Sequence, residues 1–262
     1  MKKLNSISNR ILTGLAAIVL GATPSKAQYQ PDANTVALYH FDEGKGTIAN
    51  DSSQYENHAT IEGAQWIDGF FGGALEFDGT TTKVTIPETP SLNLGTFTIE
   101  ARVRFSEGYR TNHRMIISKT SSQGNNNFQL YWTRDYFGSI GVYYDVNGQG
   151  QRIGLFFNPE PGNWHHIAGS YDSHEQYQLK LWLDHSLVAW NSVIYYPDTT
   201  TAQTRIGYLQ VPGSPISQFH FKGTIDEVRI SNIERDFSTT SVPEDYPSME
   251  ESTWGRVKKT FK

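Results

Sequence analysis

Short runs of Val, Ile, Thr, Phe and Tyr recur about every ten residues between clusters of Gly, Pro, Asn and Asp, and this spacing restricts the chain to an all-β body. Runs at 36–41, 74–77, 83–86, 96–105, 115–118, 128–132, 139–144, 165–171, 178–183, 187–193 and 219–230 each read as a strand. Two of them alternate strictly. Phe97, Ile99, Ala101, Val103 and Phe105 take turns with Thr98, Glu100, Arg102 and Arg104, which predicts one face in the core and one in water. Leu179, Leu181 and Leu183 share a face in the same way. Loops are expected at 44–53, 87–95, 121–127, 147–150, 158–163 and 197–202, where the breakers gather. Up to residue 237 no window holds a helical period.

The first segment belongs to export rather than to the fold. Lys2, Lys3 and Arg10 precede an apolar run from Ile11 to Ala22, and Ser25-Lys26-Ala27 reads as a small-x-small cleavage site. Removal of residues 1–27 is expected, with the product secreted or periplasmic. No later stretch is apolar enough to span a bilayer, so no stable membrane span is expected after cleavage. A single sandwich domain is expected over 28–237. A spacer with Pro243, Pro247 and several acids follows, then a short basic amphipathic tail with Trp254, Val257 and Phe261 on one side. The chain has no cysteine, so stability must come from burial of a core or from a metal. A net charge of −5 argues against nucleic acid as a partner.

The order of segments resembles the laminin-G-like family of concanavalin A-like jelly rolls. The matching pieces are Ala37-Leu38-Tyr39-His40-Phe41-Asp42-Glu43-Gly44, Gly72-Gly73-Ala74-Leu75-Glu76-Phe77-Asp78-Gly79, the run 96–103, Asn163-Trp164-His165-His166-Ile167-Ala168-Gly169, Leu179 to Asp184, and Gly223-Thr224-Ile225-Asp226-Glu227-Val228-Arg229-Ile230. The resemblance implies a two-sheet antiparallel jelly-roll sandwich whose first and last strands lie side by side. One departure is visible. The family usually has Asp-Gly where this chain has Asp184-His185, which predicts a looser or longer hairpin turn. The fold does not fix the function, because lectins, adhesion modules and enzymes share it.

In related jelly rolls, acids beside the paired terminal strands often hold a structural calcium. Asp42, at the end of the first strand, and Asp226, in the last, are the candidates here. On a regular strand Asp226 would share a face with Val228 and Ile230, where a carboxylate needs a cation or hydrogen-bond donors. Calcium takes six to eight oxygens, so loop carbonyls would complete the site. The competing reading is that both carboxylates accept hydrogen bonds at a sheet edge. Asp51 and Asp78 are weaker candidates, in turn-like sequence. His165 and His166 are adjacent, so a strand points them to opposite faces and they do not share an ion.

The Glu-x-Asp-x-x-Glu motif of β-glucanases does not occur, and no Gly-x-Ser-x-Gly elbow is present. Aromatic residues make up 13% of the chain and concentrate in its centre. Tyr131, Trp132, Tyr136, Phe137, Tyr143 and Tyr144 lie on successive strands and the loop between them, with Arg134, Asp135 and Asn147 as polar neighbours. Trp132, Arg134, Tyr136, Tyr143 and Tyr144 are the expected ligand contacts, and alternation sends about half of the rings inward. Trp190, Tyr195 and Tyr196 form a second cluster. The expectation is an exported, non-catalytic module that recognises a carbohydrate or an extracellular protein. The alternatives are an adhesion protein with no glycan binding and a polysaccharide hydrolase or lyase of the same fold.

Overall fold

The computed structural model describes residues 28–106, 114–121, 126–133, 139–146, 149–174, 178–192, 197–209 and 219–238. Within these residues lie two eight-stranded antiparallel sheets. The first holds β1 (Thr35–Tyr39), β4 (Gln65–Asp68), β5 (Gly73–Asp78), β7 (Phe97–Phe105), β12 (Trp164–Asp172), β13 (Gln178–Leu183), β14 (Ser186–Ser192) and β16 (Lys222–Ser231). Its order is β14-β13-β12-β7-β16-β5-β4, and β1 also pairs with β16. The second runs β11-β10-β9-β8-β15-β6-β3-β2. Its strands are β2 (Ile48–Ala49), β3 (Ala59–Glu62), β6 (Lys83–Ile86), β8 (Arg114–Thr120), β9 (Asn126–Thr133), β10 (Ser139–Val146), β11 (Gln149–Phe156) and β15 (Thr204–Ile206).

The sandwich class and the pairing of first and last strands are as expected, with Tyr39 opposite Val228. Each expected run overlaps a strand, although 40–41 and 219–221 lie outside one, and β2, β3, β4, β11 and β15 were not anticipated. Each is short or polar, and each exists because a neighbour supplies its ladder. Gln149 and Gly150 open β11 where a loop was expected. The segments 1–27 and 239–262, including Trp254, Val257 and Phe261, lie outside the described residues.

The inner faces meet in one core. Ile99, Ala101, Val103, Leu179, Leu181 and Ile225 from the first sheet pack against Val84, Ile117, Leu130 and Val142 from the second. Trp132 belongs to that core. Its ring is buried beside Phe105, with centroids 6.2 Å apart, and its indole N–H donates to Phe157 O at 3.0 Å.

Three of the four even positions of β7 do not face water, and Arg104 is half-buried. Thr98 and Glu100 are fully buried and Arg102 is 2% exposed. The two ends of the domain cover them. Tyr29 packs beneath the Arg229 guanidinium, whose carbon lies 4.5 Å from the ring centroid. Phe237 packs on Trp182 and Ala168. Arg235 clamps both ends by donating to the two Asp32 carboxylate oxygens at 2.9 and 2.7 Å. The alternation placed the core face correctly. It could not foresee that remote segments would roof the other face.

Candidate functional site

The roofed face of the first sheet carries a charged hub. Cross-strand register aligns His166, Arg102 and Asp226 in one row and Ala168, Glu100 and Arg229 in the next. Glu100 Oε1 accepts from Arg229 Nε at 2.7 Å and Oε2 accepts from His166 Nε2 at 2.9 Å. Burial alone would raise the Glu100 pKa, but the Arg229 charge and the His166 hydrogen bond outweigh it and hold the group at about 2. Arg102 Nη2 lies 3.0 Å from His185 Nε2. Guanidinium only donates, so this ring nitrogen must accept and His185 must be neutral. The His166 and His185 rings stack 4.5 Å apart.

The turn between β13 and β14 contributes to that hub. Asp184 and His185 both take left-handed backbone, with φ of 48° and 65°. The turn is therefore a tight two-residue hairpin, not the looser one expected. Non-glycine residues hold this conformation because tertiary bonds fix them. Asp184 Oδ1 accepts from His166 N at 2.9 Å and Oδ2 lies 2.9 Å from His165 Nδ1. His165 and His166 point to opposite faces, as expected.

Asp42 and Asp226 meet at one turn, residues 69–73. Asp226 Oδ2 accepts from Phe70 N at 2.8 Å and Phe71 N at 3.0 Å, and Oδ1 accepts from Glu227 N at 2.7 Å. Asp42 Oδ1 accepts from Gly73 N at 2.6 Å, and Oδ2 from the Gln28 side-chain amide at 2.6 Å. A Cβ on Gly72 would lie 2.2 Å from Asp42 Oδ1, and φ is +51° there, so the turn needs glycine. Asp226 does not share a face with Val228 and Ile230. A bulge at Glu227, with φ of 48°, shifts the register by one, and Asp226 turns away from the core. Burial raises its carboxyl to about 8. Among the described residues, no group of three or more acids and histidines converges as a metal site. Asp42 keeps a lone pair on each oxygen and Asp226 keeps one on Oδ1, a donor set that suits a hard cation if carbonyls complete it. Asp51 and Asp78 are taken up locally. Asp51 accepts from Leu38 N, Ser53 N and Asn57 N, and Asp78 from the N–H groups of Thr80, Thr81 and Thr82.

The outer face of the second sheet carries rings on a glycine floor. Leu130 and Val142 enter the core, so Tyr131 and Tyr143 point outward, and both are half-buried. Tyr131 pairs with Gly141, which pairs with Gly154. A Cβ on Gly141 would lie 2.7 Å from the Tyr131 ring, so only glycine lets that ring lie against the sheet. Tyr143 lies against Gly150 in the same way and faces Gln129 and Arg152 on the strands beside it. Tyr208 stands over the same face, its hydroxyl 2.7 Å from Thr85 Oγ1.

Of the expected ligand contacts, the structure brings out Tyr143 and withdraws Trp132 into the core. The parity of β9 decides this: Trp132 is even with Leu130, and Tyr131 takes the outward place. Tyr144 lies on β10 with its side chain outside the described residues, and Arg134, Asp135, Tyr136, Phe137 and Asn147 lie outside them altogether. Tyr195 and Tyr196 lie outside them too. Trp190 is 60% exposed on β14, near a cavity of about 490 Å³ lined by Trp182, Leu187, Lys180, Glu234 and Asp236. The glycine floor and Tyr208 were missed. The pairing of glycines across β10 and β11 was their signal, and it is unreadable without register.

Comparisons with known proteins agree with this architecture. The model of the concanavalin A-like lectin/glucanases superfamily matches residues 78–238, more than half of the chain. No curated protein matches in sequence. Domain 4 of AbnA, a GH43 extracellular arabinanase from Geobacillus stearothermophilus solved with arabinotriose, superposes with a TM-score of 0.59 at 18% identity, over 76% of this chain and 92% of that one. The botulinum neurotoxin type G receptor binding domain gives 0.56 at 14% identity over 79% of this chain, which spans 50% of that one. Trypanosoma rangeli sialidase in complex with sialic acid gives 0.58 at 17% identity over 79%, and the match spans 32% of it. Among the described residues no helix is long and apolar enough to cross a membrane.

Proposed function

The chain belongs to the concanavalin A-like lectin/glucanases superfamily, and on that premise we propose that it is an exported, non-catalytic module that takes a glycan on the outer face of its second sheet. The observation that carries the reading is the pair of outward tyrosines on a glycine floor, Tyr131 over Gly141 and Tyr143 over Gly150. Sugar rings stack on such faces through their C–H edges, and flanking amide and guanidinium groups read the hydroxyls. The arabinotriose bound by the AbnA domain supports this reading. A non-catalytic role is supported by the hydrogen bonds that occupy Glu100, Asp226 and Asp184.

A glycan array and titration calorimetry on residues 28–262 test it. Tyr131→Ala and Tyr143→Ala are each expected to weaken binding about tenfold with the fold intact. Trp190→Ala is expected to leave it unchanged. Silence on every polysaccharide would remove the glycan reading. It would favour a protein partner, for which the exposed edge formed by Leu187 and Trp190 is the supporting feature.

Calcium enters the same proposal as a structural ion. Asp42 and Asp226 would hold it, and its charge would offset the buried Asp226 carboxylate. Melting in excess chelator is then expected to lower the midpoint by several degrees, restored by added calcium. An unchanged midpoint leaves the two carboxylates as hydrogen-bonded supports of the 69–73 turn and nothing more.

A further inference from the structure

Arg205 stands in the row that contains Tyr143. Register aligns Thr85, Arg205, Ser118, Gln129, Tyr143 and Arg152 across β6, β15, β8, β9, β10 and β11. Ile206 beside it enters the core, so Arg205 lies on the outer face. It is only 9% exposed. Its Nη1 donates to Thr120 O at 3.2 Å and to Gln203 O at 3.3 Å, both uncharged acceptors. Its Nε is buried with no hydrogen-bond partner. Among the described residues, no carboxylate pairs with it.

Two other cations lie near it. Lys83 shares its face, whereas Lys119, opposite Thr204 and Phe128 on the neighbouring strand, takes the core-side position, where it is fully buried and donates to Ala202 O at 2.8 Å. Burial lowers its ammonium to about 8, with Glu88 opposing and the Arg205 charge adding to the fall. Lys83 Nζ and Arg205 Cζ lie 5.9 and 5.8 Å from the Tyr208 ring. Register places Glu62 on this face, opposite Lys83. A cationic corner in a chain of net charge −5 is a local departure. A buried guanidinium without a counter-charge is costly, and the cost disappears when a ligand supplies the anion.

We propose that the glycan taken by this face carries an anionic group, a carboxylate or a sulfate ester, and that Arg205 receives it while Tyr143 stacks a neighbouring sugar ring. The planar fork of Arg matches both anions. Three strand spacings, about 14 Å, separate Arg205 from Tyr143, so a short oligosaccharide spans the two.

This inference rests on the glycan reading of the same face, and the test separates them. Residues 28–262 are titrated with arabinan (neutral), polygalacturonate (carboxylated) and a sulfated galactan, at low and high salt. The expected result is tighter binding of one acidic polymer than of arabinan, weakened about tenfold or more by salt. Arg205→Gln is expected to abolish the preference, and Arg205→Lys to retain part of it, because charge survives without the fork. Tyr143→Ala is expected to weaken acidic and neutral glycans alike. The polymer preferred tells carboxylate from sulfate. Arabinan bound as tightly as both acidic polymers, or salt-independent binding, would overturn the inference and keep the glycan reading. Should Arg205→Gln not fold, the salt dependence of the natural chain and the Arg205→Lys variant still decide. No binding to any of the three, with silence on the array, sinks both.

Discussion

Glu100→Ala is expected to destabilise the domain by about 3–5 kcal/mol, read as a shift of the urea midpoint with an unchanged slope. The carboxylate is buried, and it is the shared acceptor for Arg229 at 2.7 Å and His166 at 2.9 Å. Removing it leaves a guanidinium that is 13% exposed and a fully buried imidazole N–H without an acceptor. Glu100→Gln is expected to cost less, about 1–3 kcal/mol, because the amide oxygen still accepts from Arg229 and His166 can change tautomer. Replacing Glu100 and Arg229 together by Leu and Met should be milder than the alanine variant, since no charge is then stranded. A cost below about 1 kcal/mol for Glu100→Ala would mean that water reaches the hub, and that the two terminal segments do not seal it.

Acid should weaken the domain through the stacked histidines. Burial first, then the neighbouring His166 and Arg102 charges, hold His185 down to about 3. Burial likewise lowers His166, against its bond to Glu100. The unfolded chain takes up a proton near pH 6.5, whereas the folded chain resists it. The stability due to His185 is therefore fully present above about pH 6.5 and is lost as pH falls toward 3. Other groups act in the opposite direction. His40 is lowered by burial but raised more by its bond to Glu227, so its contribution is lost as pH rises through the folded value. Asp226, raised to about 8, relieves its cost on acidification. A difference measurement removes them. His185→Asn, which tolerates the left-handed backbone, is expected to be less stable than the natural chain at pH 7.5. The gap should narrow by about 2–3 kcal/mol by pH 4.5. Parallel stability curves for the two proteins would show that His185 titrates normally.

Both predictions concern residues whose surroundings the sequence could not reveal. The run Phe97 to Phe105 declared a strand and its core face, because side chains alternate every residue and only one set is apolar. The other set looks like a solvated face. Here Tyr29 and Phe237, far apart in sequence, lie over it and make Glu100 a buried acid. Asp226 shows the same limit at shorter range. Regular alternation assigned it to the face of Val228 and Ile230, but one extra residue at Glu227 reversed that. Asp184-His185 looked too bulky for a tight turn until the bonds from His165, His166 and Arg102 supplied the reason.

The candidate site was half legible. The aromatic centre was visible in composition, yet Trp132 and Tyr131 exchange roles by a shift of one position. Arg205 carried no signal, because its place in line with Gln129 and Tyr143 exists only through three strand pairings. What the sequence determined by itself was the all-β class, the places of the main strands along the chain and the inward faces of β7 and β13, since period and burial of apolar side chains are local properties. Tertiary structure alone decided which polar faces are covered, which rings look outward and which charges stand together. Those depend on register and on segments distant along the chain, and no local pattern records either.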